Sequence, residues 1–171
     1  MPLYDIEHVI PLTDSQQEAL AKAFTSIHCT RFHTPSFFIN VRFTDVSAQK
    51  VYRGGALQYY NRAILRTRVS ETRTQEQYGE HCRELMKAWD TILDPARIDS
   101  SHEKTLRTVW IMGALTTAVE MGFQRPAVGQ EIDWLRSNKE SFEELAKQGD
   151  EDMQQLMVEL QTRDDFAGVL N

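Results

Sequence analysis

Pro2 stands directly behind Met1 in the opening stretch MPLYDIEHVI. Methionine aminopeptidases remove an initiator methionine when the next residue is small, proline included, so the mature chain is expected to begin with a secondary amine. An α-amino group titrates near 7.7–8.0 when unperturbed (about the middle of the useful range), and burial or nearby cations lower that value while carboxylates raise it. A neutral proline amine can take an α-proton from a keto or enol acid. A protonated one can deliver a proton to the carbon of an unsaturated acid while water adds at the next carbon.

A second chemical feature is cationic. Arg53, Arg62, Arg66, Arg68 and Arg73 fall within 21 residues of a chain whose formal net charge is −6. A guanidinium fork matches a carboxylate in bidentate fashion, so one or two of these arginines can hold a substrate carboxylate. The same run also serves as a solvated face or as subunit salt bridges, and the sequence leaves both uses open.

Other chemistries find little support. His28 and His33 are five residues apart, off the i,i+4 spacing that aims two imidazoles at one metal. Cys29 and Cys82 have no CxxC spacing, and buried free thiols are expected instead of a disulfide or a zinc site. There is no GxSxG elbow, phosphate loop or GxGxxG. Neither a metal nor a cofactor is expected. The acidic balance argues against a nucleic-acid surface, which needs clustered Lys and Arg. No apolar run approaches the ~20 residues that span a bilayer, and the start lacks the pattern of a signal peptide. A cytoplasmic protein without a membrane partner is expected. At 171 residues the chain is long enough for one domain that buries roughly 68–70% of its unfolded surface.

The elements that must position these groups follow from periodicity. From Pro2 to Ile10, Tyr4, Ile6 and Ile10 share one parity against Asp5 and Glu7, the pattern of a half-buried strand. Thr13 and Gln16 form a capping-box start, and Leu20, Ala23, Phe24 and Ile27 continue at helical spacing to about Arg31. FFINVRF restores period two, with Phe37, Ile39, Val41 and Phe43 on one face. The order then repeats. Gly54-Gly55 suits a tight turn, and Ala63, Leu65 and Val69 alternate with Arg62, Arg66 and Arg68 in a strand. Thr72 and Gln75 suggest a second capping box, and Tyr78, Cys82, Leu85, Met86 and Trp89 a helical stripe that stops at Asp94-Pro95. LRTVWIM closes the unit as a strand. Beyond Met121 the chain turns acidic and helical, with Ile132, Leu135, Phe142 and Leu145, then Met153, Leu156, Met157 and Leu160, as two amphipathic stripes that pack on the sheet or on a neighbouring subunit. The expected class is α+β: tandem β-α-β units forming a four-stranded sheet with two helices on one face, plus a C-terminal helical extension.

Pro2 behind Met1, the paired β-α-β units, His28 at the end of the first helix, KVYRGG, Arg73 after the following strand, and VEMG with Glu120 together resemble the tautomerase superfamily, in its cis-3-chloroacrylic acid dehalogenase branch. The likeness covers residues 1–125 as the tautomerase-like domain, with 126–171 as its C-terminal helical extension. It implies a homotrimer and a cofactor-free proton-transfer enzyme acting on a small carboxylate or carbonyl substrate, as a tautomerase or as a hydratase or dehalogenase. Pro2, His28 and Glu120 would be catalytic, with Glu120 activating or orienting water. The family's carboxylate-binding positions fall on Ser70 and Arg73, so one guanidinium is missing, and Arg68, two residues before Ser70, is the substitute within reach. The phenol that works with the acid falls on Ile111, which argues against efficient dehalogenation. Decarboxylation of a β-keto acid uses the same cation-rich pocket, and a non-catalytic binding or assembly protein on this fold is the remaining alternative.

Overall fold

Alternation shapes the first strand, β1 (Leu3–His8), which buries Tyr4 and Ile6 completely on one face. On the other face Asp5 meets Arg42 and Arg66, and Glu7 meets Arg62. The computed structural model describes residues 2–70, 73–93, 104–113, 117–166 and 169, with the side chain of Glu120 outside that description. Helix α1 (Asp14–Phe32) begins at the expected capping box: Thr13 Oγ1 accepts from Gln16 N at 3.2 Å, and Thr13 N donates to Gln16 Oε1 at 2.9 Å. It ends at His33, which takes the left-handed conformation at φ 50°.

The next segment departs from the expectation of one alternating strand from Phe37 to Phe43. Ser36–Phe38 is a 3-10 turn, and strand β2 runs Asn40–Asp45. Pro35 enters the turn at φ −58°, and both the N–H and the hydroxyl of Ser36 donate to the Glu159 carboxylate, which fastens the turn from outside the sheet. Ile39, Val41 and Phe43 still pack on the main core, but Phe37 joins a different one.

Gly54 and Gly55 take φ of 59° and 81° between two short strands, β3 (Val51–Arg53) and β4 (Ala56–Gln58), which form a separate ribbon. Strand β5 (Asn61–Arg66) follows. Arg68 and Val69 were expected inside this strand but lie past its end. Thr67 N donates to Met112 O at 3.0 Å, and Met112 is the last residue of the neighbouring strand β6 (Leu106–Met112), so the ladder has no further partner there. Helix α2 (Gln75–Leu93) starts two residues later than expected. Its box joins Thr74 to Gln77, through Thr74 N to Gln77 Oε1 at 2.9 Å and Gln77 N to Thr74 Oγ1 at 3.2 Å. Thr72, and the Asp94-Pro95 stop, lie outside the described residues.

The main sheet has the order β2-β1-β5-β6. Strands β1 and β2 are parallel, β5 and β6 are parallel, and the two pairs meet antiparallel at β1 and β5. This is the α+β arrangement of tandem β-α-β units. Helices α1 and α2 pack side by side on one face, where Leu20, Phe24, Leu85 and Trp89 close over Tyr4, Ile6, Ala63, Leu65 and Leu106. Arg31 bridges the helices, donating to Glu80 at 2.8 Å and Glu84 at 2.7 Å.

After β6 a short hairpin, β7 (Val119–Glu120) and β8 (Phe123–Gln124), turns through Met121 at φ 52° and Gly122 at φ 83°. Helices α3 (Glu131–Lys147) and α4 (Glu151–Thr162) then enclose a second core of Leu135, Phe142, Met153, Leu156, Leu160, Phe166 and Val169, closed by Phe37 and Phe123. Asp150 caps α4 by accepting from Met153 N at 3.0 Å. No helix among the described residues is long and apolar enough to cross a membrane.

Candidate active site

Pro2 is buried at the entry to β1, and its carbonyl accepts from Asn40 N at 3.0 Å. Leu3 pairs with Asn40 on one side and Arg66 on the other. Continuing the antiparallel register one step sets Pro2 across from Thr67, so it lies where the chain leaving β5 turns away toward Arg68 and Ser70. Alternation places Pro2 on the face of Tyr4 and Ile6, about 7 Å along the strand from Tyr4.

On that helical face the Tyr4 hydroxyl lies 2.7 Å from His28 Nδ1 and 2.7 Å from His81 Nε2. The three rings are buried together with Phe32. Burial, His81 and Arg73 hold His28 well below the usual histidine value. Burial, then Arg31 and Arg73, bring His81 down to about 4. Both imidazoles are therefore neutral near pH 7. Arg73 sits over the Phe32 ring, with its guanidinium carbon 4.4 Å from the centroid, and among the described residues it has no carboxylate partner.

Past the end of β5, Arg68 and Ser70 line a cavity of about 610 Å³ with Thr117, Gln124 and Arg125. Arg125 is almost wholly buried, its guanidinium carbon 3.1 Å from the Phe38 centroid and 5.7 Å from that of Trp134. Burial and the neighbouring Arg68 pull it down to about 9. Burial and Arg73 also lower Arg68, against the opposing pull of Glu131, whose Oε1 is 3.4 Å from Arg68 Nη2. Arg73, Arg68 and Arg125 thus form a chain of guanidiniums that feel one another at the Pro2 end of the sheet. Glu131 partly offsets it at Arg68. Such a field favours an anion.

The expected site residues divide. His28 and Arg73 stand on the helical side, and Arg68 and Ser70 share the cavity. Arg62 and Arg66 are taken by Glu7 and Asp5, so their strand face is a salt-bridged surface. Glu120 is in β7, paired with Phe123, and its side chain lies outside the described residues. The same hairpin carries Arg125, whose N donates to Ala118 O at 2.9 Å. Ile111 packs on the main core. Three contributors escaped the sequence reading. His81 was legible in principle, since 78, 81, 85 and 89 continue one helical stripe. Tyr4 was assigned inward without its hydroxyl being given a partner. Arg125, a lone arginine in a loop, carried no periodic signal.

A larger cavity of about 880 Å³ lies between α1 and α4. Its arginine, Arg163, is engaged by Glu159 at 3.1 Å and Asp165 at 2.7 Å. Burial, chiefly, with Glu159 adding to it, pushes its thiol, Cys29, up to about 12, which disfavours the reactive thiolate.

Two β-α-β units joined antiparallel at β1 and β5, with Pro2 at the entry to the first strand, are the frame on which the family can be read. The model of the family described as "Putative oxalocrotonate tautomerase enzyme" matches residues 1–139, and the chain belongs to that family. Among solved structures it is similar to a member of the cis-3-chloroacrylic acid dehalogenase (cis-CaaD) family, at 20% identity and TM-score 0.61 over 85% of this chain and 99% of that one. It is also similar to a protein described as a probable enzyme from the thermophilic fungus Aspergillus fumigatus, at 22% identity and TM-score 0.55 over 81% of this chain and 94% of that one. A fused 4-OT wild-type asymmetric trimer aligns at 16% identity and TM-score 0.52 over 70% of this chain and 92% of that one. These likenesses establish the fold. No curated protein matched the sequence.

Proposed function

We infer that the chain is a cofactor-free proton-transfer enzyme in which Pro2, freed as a secondary amine by removal of Met1, exchanges a proton with a small carboxylated substrate. The observation that carries this reading is the mutual influence of Arg73, Arg68 and Arg125 along the chain that leaves β5, whose end lies across from the start of β1. Cations there lower the amine's pKa and favour its basic form, and the same field draws a carboxylate-bearing substrate. Arg73 holds one side of that carboxylate. Arg68, in the cavity with Ser70 and Arg125, holds the other in place of the guanidinium that the family carries at Ser70. His28 faces the substrate as a neutral imidazole, and Glu120 orients water where the reaction needs it. With Ile111 in the core in place of a phenol, tautomerisation of an enol or keto acid is favoured over dehalogenation.

The active unit is a homotrimer in this reading. Trp110 and Met112 on the outward face of β6, and Tyr52 and Leu57 on the β3–β4 ribbon, are exposed large apolar side chains that a neighbouring copy would cover.

Intact mass of the purified protein tests the first requirement, since a free amine demands a chain that starts at Pro2. Pro2→Ala should then lower turnover of an enol acid such as phenylenolpyruvate by ~10²–10⁴-fold, the usual worth of a general acid or base. Active enzyme that keeps Met1 would overturn the mechanism. A wild type inert toward enol, unsaturated and β-keto acids would favour a binding protein.

A further inference from the structure

A tyrosine hydroxyl has one proton and here touches two imidazole nitrogens, both at 2.7 Å. Tyr4 is fully buried, and burial raises it well above the usual tyrosine value, so the phenol keeps its proton. Among the described residues the hydroxyl has no third partner. A buried donor left without an acceptor is costly, so the proton goes to one of the two rings and the other ring donates to the oxygen. The tautomers of His28 and His81 are thereby coupled.

His81 decides the direction. Its Nδ1 is buried and has no hydrogen-bond partner. Were Tyr4 to donate to His81 Nε2, the His81 proton would sit on Nδ1 as an orphaned buried N–H. In the opposite arrangement Nδ1 keeps only a lone pair, and orphaned donors are rarer in folded proteins than under-satisfied acceptors. His81 Nε2–H therefore donates to Tyr4, Tyr4 donates to His28 Nδ1, and the His28 proton is left on Nε2.

We propose that Tyr4 and His81 are positioning residues that lock His28 as its Nε2–H tautomer, so that His28 meets the substrate as a hydrogen-bond donor and leaves the base role to Pro2. The proposal rests on the reading above that His28 faces substrate. Neither Tyr4 nor His81 touches the reacting atoms. They act through one ring, as an outer partner fixes the tautomer of a histidine in other sites. The residues span the molecule: Tyr4 is on β1, His28 on α1 and His81 on α2, so docking of the second helix completes the network.

The test is the ¹⁵N imidazole spectrum of the full-length protein labelled at histidine, with signals assigned by their loss in His28→Gln and His81→Gln. The expected result is an unprotonated Nδ1 and a protonated Nε2 for both rings near pH 7. In Tyr4→Phe the His28 signals should move to the averaged positions of two exchanging tautomers. A wild-type His28 with its proton on Nδ1 would overturn the proposal, and that spectrum is decisive even if Tyr4→Phe fails to fold. Kinetics supply a second readout: with phenylenolpyruvate, Tyr4→Phe should lower kcat about 10-fold or more and leave KM within about 2-fold, because it disturbs a donor that acts in the transition state. Equal kcat in the variant and the wild type would overturn it too. Absence of wild-type turnover would instead remove the proton-transfer reading, while the spectrum still decides the tautomer.

Discussion

Arg125 lies against Phe38, buried and next to a second cation, Arg68. Arg125→Met is expected to weaken carboxylate binding by about 10–150-fold, the loss of a charge-assisted hydrogen bond worth ~1.5–3 kcal/mol. Calorimetric titration of the variant and of Arg73→Ala with an enol acid checks this. Unchanged affinity in both would contradict the carboxylate-binding role. The buried histidines set a pH dependence at the same scale. Unfolded histidine titrates at pH ~6.5, and His28 and His81 are both held below that when folded. Between those values the unfolded chain binds more protons, so stability is fully present above about pH 7.5 and falls as pH falls through ~6.5 toward the folded values. Urea melts at about pH 7.5 and about pH 5 should show a loss of up to ~1.4 kcal/mol per pH unit for each histidine. His81→Phe should show a shallower dependence. A flat profile in the wild type would contradict neutral burial of the pair.

Helix α4 reaches the site through one carboxylate. Glu159 accepts from the N–H and hydroxyl of Ser36 and from Arg163 at 3.1 Å, and so holds the turn that carries Phe37 and Phe38 beneath Arg125. The C-terminal helices also supply Trp134 to that bed and Glu131 to Arg68. Glu159→Gln should cost about 1–3 kcal/mol, the price of weakening buried polar pairs, or about 2–4 °C of Tm per kcal/mol. It should also weaken carboxylate binding, although residue 159 is remote from Pro2 in sequence. Thermal melts and the same titration check both effects; a lower Tm with unchanged affinity would confine α4 to a structural role. Elements of this kind were partly legible. The Thr13–Gln16 box and the inward parity of Tyr4, Ile6, Ala63 and Leu65 follow from local rules, and the structure has them. The turn at Ser36–Phe38 was not legible, because FFINVRF alternates well enough for a strand and only the distant Glu159 ties its first residues elsewhere. Thr72 and Thr74 are both followed three residues later by glutamine, and the sequence alone does not rank two equivalent caps. Arg125 needed the fold, since an isolated loop arginine has no period from which to infer its neighbours.

At the scale of the molecule the proposed site is assembled across a seam. Strand β1 and α1 bring Pro2, Tyr4 and His28, while β5, α2 and the later hairpin bring Arg68, Arg73, His81 and Arg125. The two units touch through the antiparallel β1–β5 ladder, through Arg31 on Glu80 and Glu84, and through Tyr4 on His81. Between them the chain crosses once, through the ribbon that turns at Gly54 and Gly55, where an added Cβ at either glycine would meet nothing within 4 Å. That open turn makes the covalent link dispensable in principle. Expressed as two separate polypeptides cut between Gly54 and Gly55, the halves should recognise each other and reconstitute the sheet. Their association would replace an intramolecular step by a bimolecular one, so the melting temperature of the mixture, unlike that of the intact chain, should rise with the concentration of the halves. Mixing them should restore turnover that neither possesses alone. The protein would then behave as an obligate heterodimer whose two partners happen to be encoded as one chain.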